Sequence, residues 1–131
     1  MGDLSEHFSR WEFLPPDKQC LKNIEVPVQV DSDLIQGLEY LRRSIGNKSI
    51  HVLSGLRVWT DGKSLHEHGK AADIKCYMRP PLRVIHELAC TTPHFVTSGI
   101  GIYPEQDFIH VDVGRALPLR WVRIKGVYYY Y

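Results

Sequence analysis

The chain has few cysteines and no long hydrophobic run among its 131 residues. Cys20, Cys76 and Cys90 are odd in number and show no paired spacing, so we expect reduced thiols in a protein made in the cytoplasm rather than a disulfide framework. No apolar stretch approaches the ~20 residues of a membrane span. The first residues, MGDLSEHFSRWEF, lack the basic segment and apolar core of a signal peptide.

The chain also lacks an excess of either charge. It has 16 lysines and arginines and 15 acidic residues, which gives a formal net charge of +1. The basic residues are scattered, which argues against a nucleic-acid partner. A hydrophobic content of 44% is ordinary for a globular protein. This length accommodates one core and not two, so we predict a single domain over residues 1–131.

Turn residues and hydrophobic periodicity divide the chain into alternating elements. The clearest is a helix over residues 31–47, capped by Asp31 or Ser32 and ended by Gly46, with an apolar face at Leu34, Leu38, Leu41 and Ile45. Two further helices are predicted over residues 4–14, where Ser5 is a candidate cap, and over residues 80–92. Strands are predicted over residues 49–55, 71–78, 98–103, 107–114 and 120–131. This order predicts an α+β fold with a mostly antiparallel sheet.

The stretch SLHEHGKAADI, residues 64–74, concentrates groups that can bind a metal. A turn at Gly69 would let His66 and Asp73 point into one cleft, His66 from a loop or helix end and Asp73 from the following strand. A solvated polar loop is the competing interpretation of this stretch alone. The rest of a site has to come from elsewhere in the chain.

The stretch DFIHVDVG supplies a second histidine. Strand alternation places Phe108, His110 and Asp112 on one face. His110 alone would be interpreted as a core histidine that is hydrogen bonded to backbone. Together with His66 and Asp73, it completes two histidines and one aspartate with an open fourth position, the composition of a catalytic zinc site.

A metallohydrolase also needs a base and a positive charge. Asp107 precedes His110 by three residues, so it reaches the same face only if the strand bends or begins after Asp107. Glu105 and Glu67 are competing carboxylates. Arg57, directly after a strand, is placed to hold a substrate carboxylate or polarise a scissile carbonyl, although an exposed arginine is the alternative.

The order of these motifs resembles the zinc D-Ala-D-Ala carboxypeptidase and phage endolysin superfamily. Its signature Ser-x-His-x-x-Gly-x-Ala-x-Asp is matched by Ser64, His66, Gly69, Ala71 and Asp73. The later His-x-Asp strand is matched by His110 and Asp112. The segments LSEHFSRWEF and LIQGLEYLRRSIG also resemble single-domain members, so the likeness covers nearly the whole chain.

The resemblance implies a hedgehog/DD-peptidase-like fold, in which a small sheet and flanking helices form a zinc cleft. It implies a zinc-dependent peptidase that hydrolyses an amide bond in peptidoglycan stem peptides. The implied Zn²⁺ ligands are His66, Asp73 and His110. Asp107 would be the general base for the zinc-activated water, Arg57 would hold the substrate or steady the oxyanion, and Ser64 would contact substrate.

The resemblance leaves several alternatives. Asp112 is interpreted as a supporting carboxylate rather than a ligand, because a fourth protein ligand would close the site. His68 is interpreted as a surface residue. The bond that is cut could be D-Ala-D-Ala, L-Ala-D-Glu or a cross-bridge bond. The expected place of action is the cell wall, through phage lysis or from a virion, and the competing hypothesis is a non-catalytic zinc-containing module, for example of a phage particle.

Overall fold

A computed structural model describes residues 2–14, 29–55, 65–78 and 80–131. Its helices are α1 (Ser32–Ser44), α2 (Leu82–Ala89) and α3 (Pro93–Val96), with short 3-10 helices at Arg10–Phe13 and Leu65–His68. Its strands are β1 (His51–Ser54), β2 (Ala71–Lys75), β3 (Gly99–Tyr103), β4 (Phe108–Asp112), β5 (Leu119–Ile124) and β6 (Val127–Tyr130). The predicted α+β class is confirmed. The prediction of a single domain stays a prediction.

Helix α1 forms where its cap and periodicity predict it. The Asp31 carboxylate accepts a hydrogen bond from the Asp33 amide at 2.8 Å and so satisfies one of the first backbone donors. The predicted apolar face is buried, namely Leu34, Leu38, Leu41 and Ile45. Gly46, with φ of 81°, ends the helix in the left-handed region.

The six strands form one mixed sheet in the order β1-β2-β4-β3-β5-β6. Four of the neighbouring pairs are antiparallel, and β3 with β5 is the parallel pair. The sheet is therefore mostly antiparallel, as predicted. The parallel pairing brings β5 next to β3 although β4 lies between them in the chain, which places residues near 121 beside residues near 101.

The two faces of the sheet have different environments. Ala72, Ile74, Ile100, Ile109 and Val111 point to one face and pack with apolar side chains of the helices into the hydrophobic core. Because side chains alternate along a strand, the residues between them point to the opposite face. Asp73 and His110 belong to that opposite face.

Two of the predicted elements are clearly shorter in the structure. The helix predicted over residues 4–14 is a 3-10 helix at Arg10–Phe13 only, where the Glu12 carboxylate accepts from the Ser9 amide at 2.7 Å. Ser5 is not its cap, because the Ser5 hydroxyl donates to Glu39 of α1 at 2.5 Å. The strand predicted over residues 71–78 ends at Lys75.

The predicted C-terminal strand is also two strands rather than one. Lys125 and Gly126, with φ of 50° and 78°, form a two-residue turn between β5 and β6. Helix α3 lies where no separate element was predicted. Within the ranges that the structure describes, Cys76 and Cys90 are free thiols, and no helix has the length and apolar character to cross a membrane.

Candidate metal centre

The predicted ligands come together from two strands and a loop. Asp73 lies in the middle of β2, and His110 is its direct cross-strand partner on β4. His66 lies in the 3-10 helix just before β2. All three side chains are buried, and each offers a ligand atom within 4.8 Å of the others. This buried group could hold a metal ion.

Gly69 is what allows the loop before β2 to fold this way. Its φ is +67°, and a Cβ at this position would lie 2.1 Å from the Gln29 carbonyl oxygen. The Gly69 carbonyl accepts from the Asp31 amide at 2.9 Å, and Lys70 Nζ lies 3.0 Å from the Asp31 carboxylate. The loop that carries His66 is therefore fixed against the N-terminus of α1.

The ring of His66 is oriented by a backbone group. Its Nδ1 lies 2.7 Å from the carbonyl oxygen of Gly55, which can only accept, so Nδ1 carries the proton. Its Nε2 faces Asp73 and lies 3.6 Å from Oδ1. This tautomer leaves Nε2 free of a proton and able to bind a metal ion.

A carboxylate orients the ring of His110. Its Nε2 donates to Asp112 Oδ2 at 2.6 Å, which leaves Nδ1 facing Asp73 Oδ1 at 3.1 Å. Asp112 is fully buried and also accepts from the Ser98 hydroxyl, from the Gly99 amide at 2.6 Å and from Arg115 Nε at 2.9 Å. The geometry agrees with the interpretation of Asp112 as a supporting carboxylate, a frequent arrangement behind ligand histidines.

Two of the distances between the candidate ligand atoms fit one small cation. Two ligands that are each ~2.1 Å from a tetrahedral ion lie about 3.4 Å apart. Asp73 Oδ1 lies 3.1 Å from His110 Nδ1 and 3.6 Å from His66 Nε2, on either side of that value. Two imidazoles and one carboxylate are a donor set that zinc and similar transition metals accept.

The electrostatics keep both carboxylates ionised. Burial raises the pKa of Asp73, but hydrogen bonds with His110 and His66 outweigh it and lower the pKa to about 2. Burial likewise raises the pKa of Asp112, and its bonds with His110, Ser98 and the Gly99 amide lower it to about 2. For His110, burial lowers the pKa, whereas the hydrogen bonds with Asp112 and Asp73 raise it above its ordinary value.

A cleft of about 300 Å³ opens beside this group. Its lining consists of His66, Asp73, Tyr103, Phe108, His110, Trp121, Arg123 and Tyr128. The Trp121 ring lies 5.0 Å from the His110 ring, and its Nε1 donates to the Tyr103 hydroxyl at 3.1 Å. Gly101 leaves the space for this indole, because a Cβ there would lie 2.3 Å from the ring.

The aromatic residues and Arg123 are parts of the site that were not predicted from the sequence. One signal was present in GIGIY, where glycines alternate with isoleucines. Small residues at every second position leave room on one face of a strand. Only the parallel β3–β5 pairing shows that Trp121 fills this room.

The other predicted site residues either do not line the cleft or lie outside the described residues. Strand β4 begins after Asp107, as a catalytic role requires, but the Asp107 side chain is 58% exposed and its Oδ2 lies 3.0 Å from Lys75 Nζ. Asp107 is not among the described residues that line the cleft. Arg57 and Ser64 lie outside the described residues, so their predicted roles stay predictions.

The structure also describes two residues that were weighed as alternatives for the site, His68 and Glu105. His68 is exposed, in agreement with its interpretation as a surface residue. The Glu105 carboxylate accepts from the Lys125 amide and so supports the β5–β6 turn.

Comparison with protein-family models, with curated proteins and with solved structures gave no match.

Proposed function

We propose that this chain is a zinc metallopeptidase that hydrolyses an amide bond in peptidoglycan stem peptides. The proposal also places the chain in the zinc D-Ala-D-Ala carboxypeptidase and phage endolysin superfamily, with a hedgehog/DD-peptidase-like fold. The observation that carries it is the buried group of His66, Asp73 and His110 beside a cleft. The sequence motif that predicts these residues as ligands is the one that the superfamily uses.

The surroundings of the three side chains support binding of a metal rather than a chance polar cluster. Gly55 and Asp112 each hold the far nitrogen of one histidine, so the rings are oriented before any ion binds. A zinc ion bound there would serve as a Lewis acid toward water and the scissile carbonyl. The cleft has room for a short peptide segment.

In this proposal Asp107 is the general base. It would take a proton from the attacking water and return it to the leaving amine. Lys75 is on the same face of β2 as Asp73, two residues further on, and its pairing keeps the Asp107 carboxylate on that side of the sheet. Arg57 would steady the negative charge that develops on the carbonyl oxygen, and Ser64 would contact substrate.

A second candidate is a non-catalytic zinc-containing structural or binding module, for example of a phage particle. The observation that favours it is the position of Asp107, which is exposed and ion-paired, as a structural carboxylate would be. Under the first proposal the protein acts at the cell wall, during phage lysis or from a virion. Under the second, the metal contributes only to stability.

Digestion of purified peptidoglycan with mass spectrometry of the fragments separates the two candidates. We expect the zinc-loaded protein to release a new amine at one stem-peptide bond. Asp107→Asn should lower the rate by about 100-fold or more, the usual worth of a general base, and EDTA should abolish it. Asp33→Asn, which removes an exposed carboxylate on α1, is the matched control and should leave the rate unchanged. Bound zinc without cleavage of any muropeptide would instead support the structural module.

A further inference from the structure

Strand β6, at the edge of the sheet, carries a run of exposed tyrosines that alternation divides between the two faces. Tyr128 lines the cleft, so Tyr130, two residues further on, points to the same face. Tyr129 and Tyr131 point to the opposite face, where the Tyr131 hydroxyl lies 2.9 Å from His86 Nε2 of α2. The cleft face therefore continues beyond β5 as an aromatic surface of Tyr128 and Tyr130, here called the tyrosine platform.

The strand register places the tyrosine platform in line with the metal-binding group. Direct cross-strand partners run across the sheet in the order Asp73, His110, Gly101, Trp121 and Tyr130. Neighbouring strands are ~4.8 Å apart, so the steps from β4 through β3 and β5 to β6 place Tyr130 about 14 Å from His110. The cleft and the platform are thus parts of one continuous surface.

The platform is accessible, and one of its rings is oriented before a ligand binds. The Tyr128 side chain meets the Tyr103 ring edge to face, with ring centres 6.4 Å apart, and the Arg123 guanidinium carbon lies 5.4 Å from its ring centre. Tyr128 nevertheless remains 46% exposed, and Tyr130 is 65% exposed. A ligand that reaches the cleft can therefore contact both rings, and little side-chain freedom is lost at Tyr128.

The chemistry of the platform favours a neutral, ring-shaped ligand. Strand β6 (Val127–Tyr130) contains no charged residue. Stacked bases of a nucleic acid would need a positively charged groove beside the rings, which a net charge of +1 and scattered basic residues do not favour. An N-acetylated sugar is neutral, and the C–H groups on one face of its ring pack against the electron-rich face of an aromatic ring. Its hydroxyl groups stay in contact with water.

We propose that the tyrosine platform binds the N-acetylated sugars of the glycan strand to which the stem peptide is attached. This inference rests on the peptidase proposal and adds a second part of the substrate to it. One extended peptide residue covers about 3.3 to 3.6 Å, so the distance of about 14 Å from His110 to Tyr130 corresponds to about four residues. That length is within a stem peptide, so one substrate can occupy the platform and the metal-binding group together.

The first test measures binding of a peptide-free sugar, the linear tetramer of N-acetylglucosamine, to the zinc-loaded protein. In an NMR titration we expect the ring resonances of Tyr128 and Tyr130 to shift. Tyr130→Ala should weaken the Kd by about 2- to 10-fold, the worth of one ring contact, and Tyr130→Phe, which keeps the ring, should retain the affinity. Tyr129→Ala removes a tyrosine that is 53% exposed on the opposite face, so it is the matched control and should bind as wild type.

The second test compares cleavage of a stem peptide that carries its disaccharide with cleavage of the same peptide without sugar. The wild type should favour the sugar-linked form by about 2- to 10-fold in kcat/KM, and in Tyr130→Ala this ratio should fall to near one through KM. Sugar binding without cleavage would keep the platform and refute the peptidase. Cleavage with a ratio near one and no ring shifts would keep the peptidase and overturn the platform. A wild-type dimer in sedimentation that binds no sugar and dissociates in Tyr130→Ala would also overturn it, because a second copy would then cover this face.

Discussion

Replacement of Asp112 by Asn tests whether the carboxylate behind His110 organises the metal centre. Asp112 is fully buried and receives four donors: His110 Nε2, the Ser98 hydroxyl, the Gly99 amide and Arg115 Nε. Asparagine has nearly the same shape, but one of its two acceptor atoms becomes an NH₂ donor. That donor must face a donor of the protein, and the charge that holds His110 and Arg115 is lost.

The expected magnitude follows from these contacts. Removal of one partner from a buried charged pair costs about 3 to 5 kcal/mol, which is a large part of an ordinary free energy of unfolding of about 5 to 15 kcal/mol. For a chain of this size, we expect a fall in Tm of about 10 to 20 °C. Under the proposed role of His110 as a zinc ligand, loss of its carboxylate partner should also weaken zinc binding by about 10- to 100-fold.

Two assays measure these effects separately. Thermal unfolding of the metal-free protein gives the stability change, and competition with a chromophoric chelator at 10 °C gives the zinc Kd where Asp112→Asn is still folded. Ser98→Ala is the control, because it removes one donor and keeps the charge, so the zinc Kd should change less than threefold. A zinc Kd and a Tm that are both unchanged in Asp112→Asn would refute the reasoning.

Two further substitutions test the packing of the site and the attachment of the N-terminal segment. Gly101→Ala should lower the free energy of unfolding by about 1 to 3 kcal/mol in urea titrations, since the added Cβ displaces the Trp121 ring, and an unchanged midpoint would contradict that contact. For Glu39, burial raises the pKa, but hydrogen bonds from Ser5 and His7 lower it below the ordinary 4.5. Glu39→Gln should therefore cost about 1 to 2 kcal/mol near pH 7, a difference that shrinks as the pH falls from about 4.5 through the lower folded value. Equal losses at pH 7 and pH 3 would refute this assignment.

The clustering of His66, Asp73 and His110 was predictable because a local motif brings most of these residues together. His66, Gly69 and Asp73 are close in sequence, so the turn at Gly69 is enough to relate them. His110 could be added because strand alternation fixes its face. Helix α1 was predictable for a similar reason, since its cap and its apolar positions are both local.

The wall of the cleft was not predictable in the same way. Trp121 and Arg123 reach the site only because β5 pairs in parallel with β3, and hydrophobic alternation does not reveal which strands become neighbours. Strand β6 was missed because the tyrosines after Lys125 and Gly126 continue the same residue preference as β5. The proposed role of Asp107 depends on the direction of its side chain at a turn, where the φ of Asp107 is 58°. No periodic pattern in the sequence specifies that direction.

The direct pairing of Asp73 with His110 has a consequence for how the protein matures. A shift of one residue between β2 and β4 would turn one of the two side chains into the hydrophobic core, so the ion would be bound only by a correctly aligned sheet. The chain between them contains α2, α3 and β3, which must therefore be synthesised before His110 can pair with Asp73. A metal ion would then bind only after the sheet has paired correctly. A nascent or mispaired chain would remain metal-free and susceptible to proteolysis.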